Sequence, residues 1–135
     1  PDLQYAAGAA RFTGDTSPIP SLYATKAGLR MIIRAEIERI ETRVLSLCQL
    51  FKAACTDRNY PLLTPEARSQ SAPIVSIGLK KAIQLAAALK RHNIHCSARG
   101  DGLRFSLHAY NNEQDIAHTL DVLGTLLSHP VKAKT

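Results

Sequence analysis

A chain of 135 residues, 45% of them hydrophobic and 21% charged, is long enough for one folded domain that removes about two-thirds of its unfolded surface from water. That composition excludes wholesale disorder and fibrous repeats, and charged residues cut every apolar run well short of the roughly 18 residues a membrane span needs. The formal charge is +6, but the basic residues are scattered among Glu36, Glu38 and Glu41 without an aromatic platform, so no nucleic-acid partner is expected.

The sole methionine is Met31 and the chain opens Pro-Asp-Leu, which reads as a processed product or a piece of something longer. No basic-then-apolar leader precedes the first periodic segment, and no membrane partner is expected. Three cysteines are an odd number, and Cys48 and Cys55 fall on a helical pattern. Reduced thiols in a cytoplasmic setting are the expectation.

Residues 1–17 show no period and carry Gly8 and Gly14, so they read as an irregular lead-in to a domain over 18–135. Ser17 before Pro18 suits an N-cap and first-turn proline, and a helix is predicted from about Ile19 to Ile33. Leu29, Ile33, Ile37, Ile40, Val44, Leu47 and Phe51 then recur at threes and fours, tracing one apolar stripe. The stripe fits one long helix or two joined by a bend near Arg34-Ala35. Asn59 and Pro61 stop it.

Leu62-Leu63 is a short strand candidate, and Ile74 to Ile77 reads as a buried strand ending at Gly78. Ala82, Leu85, Ala86 and Leu89 mark the core face of a helix over about Lys80 to Arg91, with Asn93 in a left-handed position after it. Ile94 to Ala98 and Leu103 to Leu107 are two further strands across a hairpin turn at Arg99-Gly-Asp-Gly102. Asn111 or Asn112 caps a last helix whose inward stripe is Ile116, Leu120, Leu123 and Leu127, closed by His129-Pro130. The predicted fold is an α/β (α+β) sandwich, a small mixed or antiparallel sheet covered by helices on one face.

Catalytic motifs are absent from this order. No G-x-S-x-G elbow, nucleophilic cysteine motif or phosphate loop occurs. Cys48 and Cys55 read as small core residues. His92, His95 and Cys96 cluster in sequence, but His95 and Cys96 would point to opposite faces of a strand and no further ligand pair follows, so no metal site is expected.

Residues 99–112 stand out. On the strand from Leu103 to Leu107, Leu103, Phe105 and Leu107 share one face and leave Arg104, Ser106 and His108 on the other. Cations on a strand face are costly to bury without an anion, and an arginine held by a strand suits bidentate capture of a carboxylate. The plainer alternative is a solvated sheet face.

The segment RGDGLRFSLHAYNNEQDIAHTLDVL resembles the closing motif of class V aminotransferases. These are fold-type I pyridoxal-phosphate enzymes that include cysteine desulfurases, kynureninases and isopenicillin N epimerase-like proteins. The match runs through Arg99, Gly102, Leu103-Arg104-Phe105-Ser106, His108, Tyr110-Asn111 and Asp115-Ile116. Upstream, RFTGDTSPIPSLYATKAGL resembles the family's Phe-x-x-Gly-Thr segment and the helix after it. Together the similarity runs from Arg11 to about Leu127 and corresponds to the family's C-terminal part.

The resemblance implies the small domain of a fold-type I pyridoxal-phosphate transferase. It places Arg104 at the substrate α-carboxylate, Arg99 as a second substrate-side cation or a turn residue, and Thr16 at the cofactor phosphate across a homodimer interface. Asp15 stands where the family more often has glycine. His108 and Tyr110-Asn111 would fix the turn into the last helix. The family's Schiff-base lysine context and upstream aspartate do not occur, so no catalytic residue is expected here and pyridoxal phosphate would not attach covalently. The function implied is substrate clamping in an amino-acid-converting enzyme, with this chain inactive by itself. A stand-alone binding or regulatory module is the alternative.

Overall fold

The computed structural model describes residues 4–14, 16, 18–65, 67, 70 and 72–128. The chain divides into two compact units, Pro1–Ile37 and Glu38–Thr135.

In the first unit a short 3-10 turn at Gly8–Phe12 precedes α1, Ile19–Ala35. Pro18 is the residue before the helix, and Pro20 occupies its first turn, where a missing N–H costs nothing. The expected cap, Ser17, lies outside the described residues. No described residue of α1 is buried, so Leu29 and Ile33, the first two members of the long stripe, are exposed.

The stripe belongs to two helices. Glu36 adopts φ 60° and ψ 113° and separates α1 from α2, Ile37–Asp57. Along α2 the stripe turns inward: Ile40 is half-buried, and Val44, Leu47 and Phe51 are buried. Asn59, also at positive φ, and Pro61 follow the helix end.

The second unit is built on a three-stranded antiparallel sheet ordered β1-β3-β2, with β1 Ile74–Gly78, β2 Ser97–Arg99 and β3 Gly102–Ser106. The segment 61–64 runs along the outer edge of β1: Leu62 bridges to Ile77, the Leu63 N–H donates to the Ser76 carbonyl, and the Gly78 N–H donates to the Pro61 carbonyl. Val75, Ile77, Leu103 and Phe105 face inward, against α2, α3 (Ala82–Lys90) and α4 (Glu113–Ser128), and are buried with them in one apolar cluster. Phe51 and Phe105 meet edge-on at 5.2 Å, a favoured aromatic arrangement. Helices cover this one face of the sheet; the other face carries polar residues.

Local chemistry sets the remaining boundaries. Gly100 at φ 52° starts the two-residue hairpin between β2 and β3, as a primed turn requires. Asn93 takes φ 59° after α3, and the Ile94 N–H turns back to the Leu89 carbonyl, the helix-ending geometry expected of it. That return keeps residues 94–96 out of the sheet, so β2 is three residues long rather than five. His95 and Cys96 accordingly belong to a loop. Before α4 the Asp115 N–H donates to Asn112 Oδ1 and the Asn112 N–H donates to Asp115 Oδ2. This reciprocal capping box identifies Asn112, not Asn111, as the cap. Leu127, expected inward, is exposed near the helix end, whereas Thr119 is buried. His129 and Pro130 lie outside the described residues.

Candidate functional site

The polar face of the sheet is organised around Arg104. Directly opposed residues in an antiparallel pair share a face, and residues two apart on one strand share it too. Ser76 on β1 and Ser97 on β2 both stand opposite Arg104, so a hydroxyl flanks the arginine on either side, with Cβ separations of about 4.5–5.5 Å. All three residues are half-buried. The Arg104 Nε is buried and, among the described residues, donates to no hydrogen-bond partner. An orphaned donor of this kind costs about 1–3 kcal/mol.

Arg99 lies opposite Gly102 and is exposed on the same face. Thr16 is in the first compact unit and is exposed; Asp15 is outside the described residues. The two arginines expected on the substrate side are thus brought onto one surface, while Thr16 belongs to the other unit. Ser76 and Ser97 were not legible as site residues, because their place beside Arg104 depends on strand register. Leu63 is a further addition. Its side chain lies over Gly78 and Gly102: Cδ2 is 3.3 Å and Cδ1 2.9 Å from where a Cβ would stand on them. Glycines at the ends of two paired strands, Gly78 and Gly102, leave the room for that approach.

His108 and Asn111 serve the turn into α4. The His108 N–H donates to Asn111 Oδ1 at 2.9 Å, and Asn111 Nδ2 donates to Asp115 Oδ2 at 3.1 Å. Those bonds hold the Asp115 carboxyl below its ordinary value, the Asn111 side chain contributing most. The His108 and Tyr110 rings stack at 4.6 Å. Arg43 of α2 grips both Glu113 oxygens, at 2.6 and 3.1 Å, tying α2 to the start of α4. Cys48 and Cys55 are buried, and burial lifts the Cys55 thiol to about 11, as befits core packing rather than nucleophilic chemistry.

A profile of the kynureninase C-terminal domain family matches residues 37–123. The chain belongs to that family. This kynureninase-type domain is similar to "Uncharacterized aminotransferase YcbU" of Bacillus subtilis (strain 168), at 25% identity over 95% of the chain and 34% of the relative. Its fold matches the apo cysteine desulfurase of Thermococcus onnurineus NA1, with a TM-score of 0.79 and 25% identity over 89% of this chain and 34% of that one. A NifS-like protein shares the fold at a TM-score of 0.74 and 17% identity, covering 93% of this chain and 38% of that one. The class V aminotransferase resemblance in the closing motif is thereby borne out. So is the expected architecture, the small α/β domain of fold-type I enzymes. The chain spans 34% of the length of the curated relative.

Such a fold implies pyridoxal phosphate, whose ring chemistry depends on an imine to lysine. Among the described residues of this kynureninase-type domain, no lysine is placed to make that anchor. Lys52 is buried, but its Nζ donates to the Pro65 carbonyl at 3.1 Å. Lys26, Lys80, Lys81 and Lys90 are exposed. A cavity of about 190 Å³ beside Phe51 and Phe105 is lined by no lysine. What the described residues place on the open sheet face is a pair of arginines, Arg99 and Arg104, with Ser76 and Ser97 beside Arg104.

Proposed function

We propose that this chain is the substrate-clamping C-terminal domain of a pyridoxal-phosphate-dependent, class V aminotransferase-like enzyme acting on an amino acid. The observation that carries the reading is the Arg104 guanidinium, half-buried between two serines, with its Nε lacking a partner. A charged donor already stripped of part of its water gains more from a carboxylate than a solvated one does. The strand fixes its root, so the carboxylate is held in one orientation. Ser76 and Ser97 stand where their hydroxyls can donate to the second carboxylate oxygen or accept from Nε.

In this reading Arg104 receives the α-carboxylate and Arg99 is a second cation on the substrate side. Thr16 reaches the cofactor phosphate across the interface of a homodimer. None of these residues performs the covalent chemistry, which lies with groups this chain does not supply, and the chain by itself is inactive. Three unpaired cysteines support a reducing, cytoplasmic setting. No described helix is long and apolar enough to cross a membrane.

Calorimetric titration with L-alanine and with L-alaninamide tests the reading. The acid binds at millimolar concentration, the amide does not, and Arg104→Ala abolishes binding while the variant keeps its unfolding transition. Equal heats for acid and amide would refute carboxylate capture at this face.

A further inference from the structure

The second arginine gives the face a pattern that one carboxylate does not use. Arg99 and Arg104 are diagonal neighbours across the β2–β3 pair, with their roots within roughly 7–8 Å of each other. Neither takes part in an ion pair among the described residues. Two cations on one face make it locally positive, and a dianion would be attracted to both.

The corner between the two cations is apolar. Gly102 lies opposite Arg99 and two residues before Arg104, and in place of a Cβ at Gly102 the surface carries Leu63 Cδ1. Leu63 remains 61% exposed, so it offers solvent a hydrocarbon patch at the strand position that neighbours both arginines. Cation, hydrocarbon and cation in succession match a molecule with two anionic ends joined by a short methylene run.

Resting on the reading of Arg104 as the carboxylate receiver, we propose that the substrate is a dicarboxylic amino acid. Its α-carboxylate meets Arg104, its methylenes lie on Leu63, and its distal carboxylate meets Arg99. The two hydroxyls of Ser76 and Ser97 stay with Arg104, so the two ends of the ligand are not equivalent.

L-Glutamate and L-glutamine separate the possibilities, because they differ only in distal charge. In chemical-shift titrations of the 15N-labelled chain, glutamate binds about fivefold more tightly than glutamine, the scale of a partly exposed ion pair. Arg99→Ala lowers glutamate affinity to that of glutamine. Lys90→Ala, which removes the same charge from an exposed site elsewhere, keeps the preference. Equal affinities in the wild-type chain, or a preference that survives Arg99→Ala, would overturn the dicarboxylate proposal while leaving Arg104 in place. Weakened glutamine binding in Arg99→Ala would overturn it too, by showing both arginines on one carboxylate. If Arg104→Ala binds both ligands as well as wild type does, the carboxylate reading itself fails and the proposal with it.

Discussion

A Cβ at Gly102 would stand 2.9 Å from Leu63 Cδ1 and 3.0 Å from the Ile77 carbonyl oxygen. The first neighbour can move and the second, held in the β1–β3 ladder, cannot. Gly102→Ala should therefore destabilise the fold by about 1–3 kcal/mol, the usual range for overpacking. Adding Leu63→Ala should recover only part of the loss. Denaturant unfolding of the two single variants and the double variant checks this; full additivity would show that Leu63 does not lie over Gly102. Arg104 itself was legible from strand alternation and from the closing motif. Its serine neighbours and Leu63 were not, because a sequence shows which face a residue takes but not which residue stands across the sheet.

Helices with inward stripes were readable wherever the stripe reached the core, as from Val44 to Phe51 and from Ile116 to Leu123. The break between α1 and α2 was not. The apolar period passes through Glu36 in phase, without proline or glycine, and only the backbone at φ 60° reveals the interruption. The last strand pair was readable as a hairpin, but the length of β2 was set by the chain returning to α3 through Asn93. At α4 the capping box makes a pH prediction. Asp115 has its carboxyl lowered by Asn111 and the Asn112 N–H, so it contributes stability above the unfolded-state value and loses it as pH falls through the folded one. Asp115→Asn should cost about 0.5–1 kcal/mol at neutral pH, as loss of a charged cap does. The deficit should close as pH drops below the ordinary aspartate value of 3.8. Unfolding curves at a series of pH values would show it; a deficit that persists in acid would assign the effect to packing instead.

The two compact units divide the labour unequally. Among the described residues, every buried core residue lies in Glu38–Thr135, and so do Arg99, Arg104, Ser76, Ser97 and Leu63. The helical layer packs on one face of the sheet, and the proposed ligand would lie on the other, polar face. Length and composition bounded a fold but carried no sign of that face. The motif pointed to Arg104, and strand register supplied its surroundings. The most direct measurement is the Arg104 Nε–Hε resonance in a 15N spectrum, assigned by its loss in Arg104→Lys. Captured carboxylate shifts it saturably on titration with L-alanine and leaves it still with L-alaninamide. A resonance that stays fixed in both titrations would contradict the account at its centre.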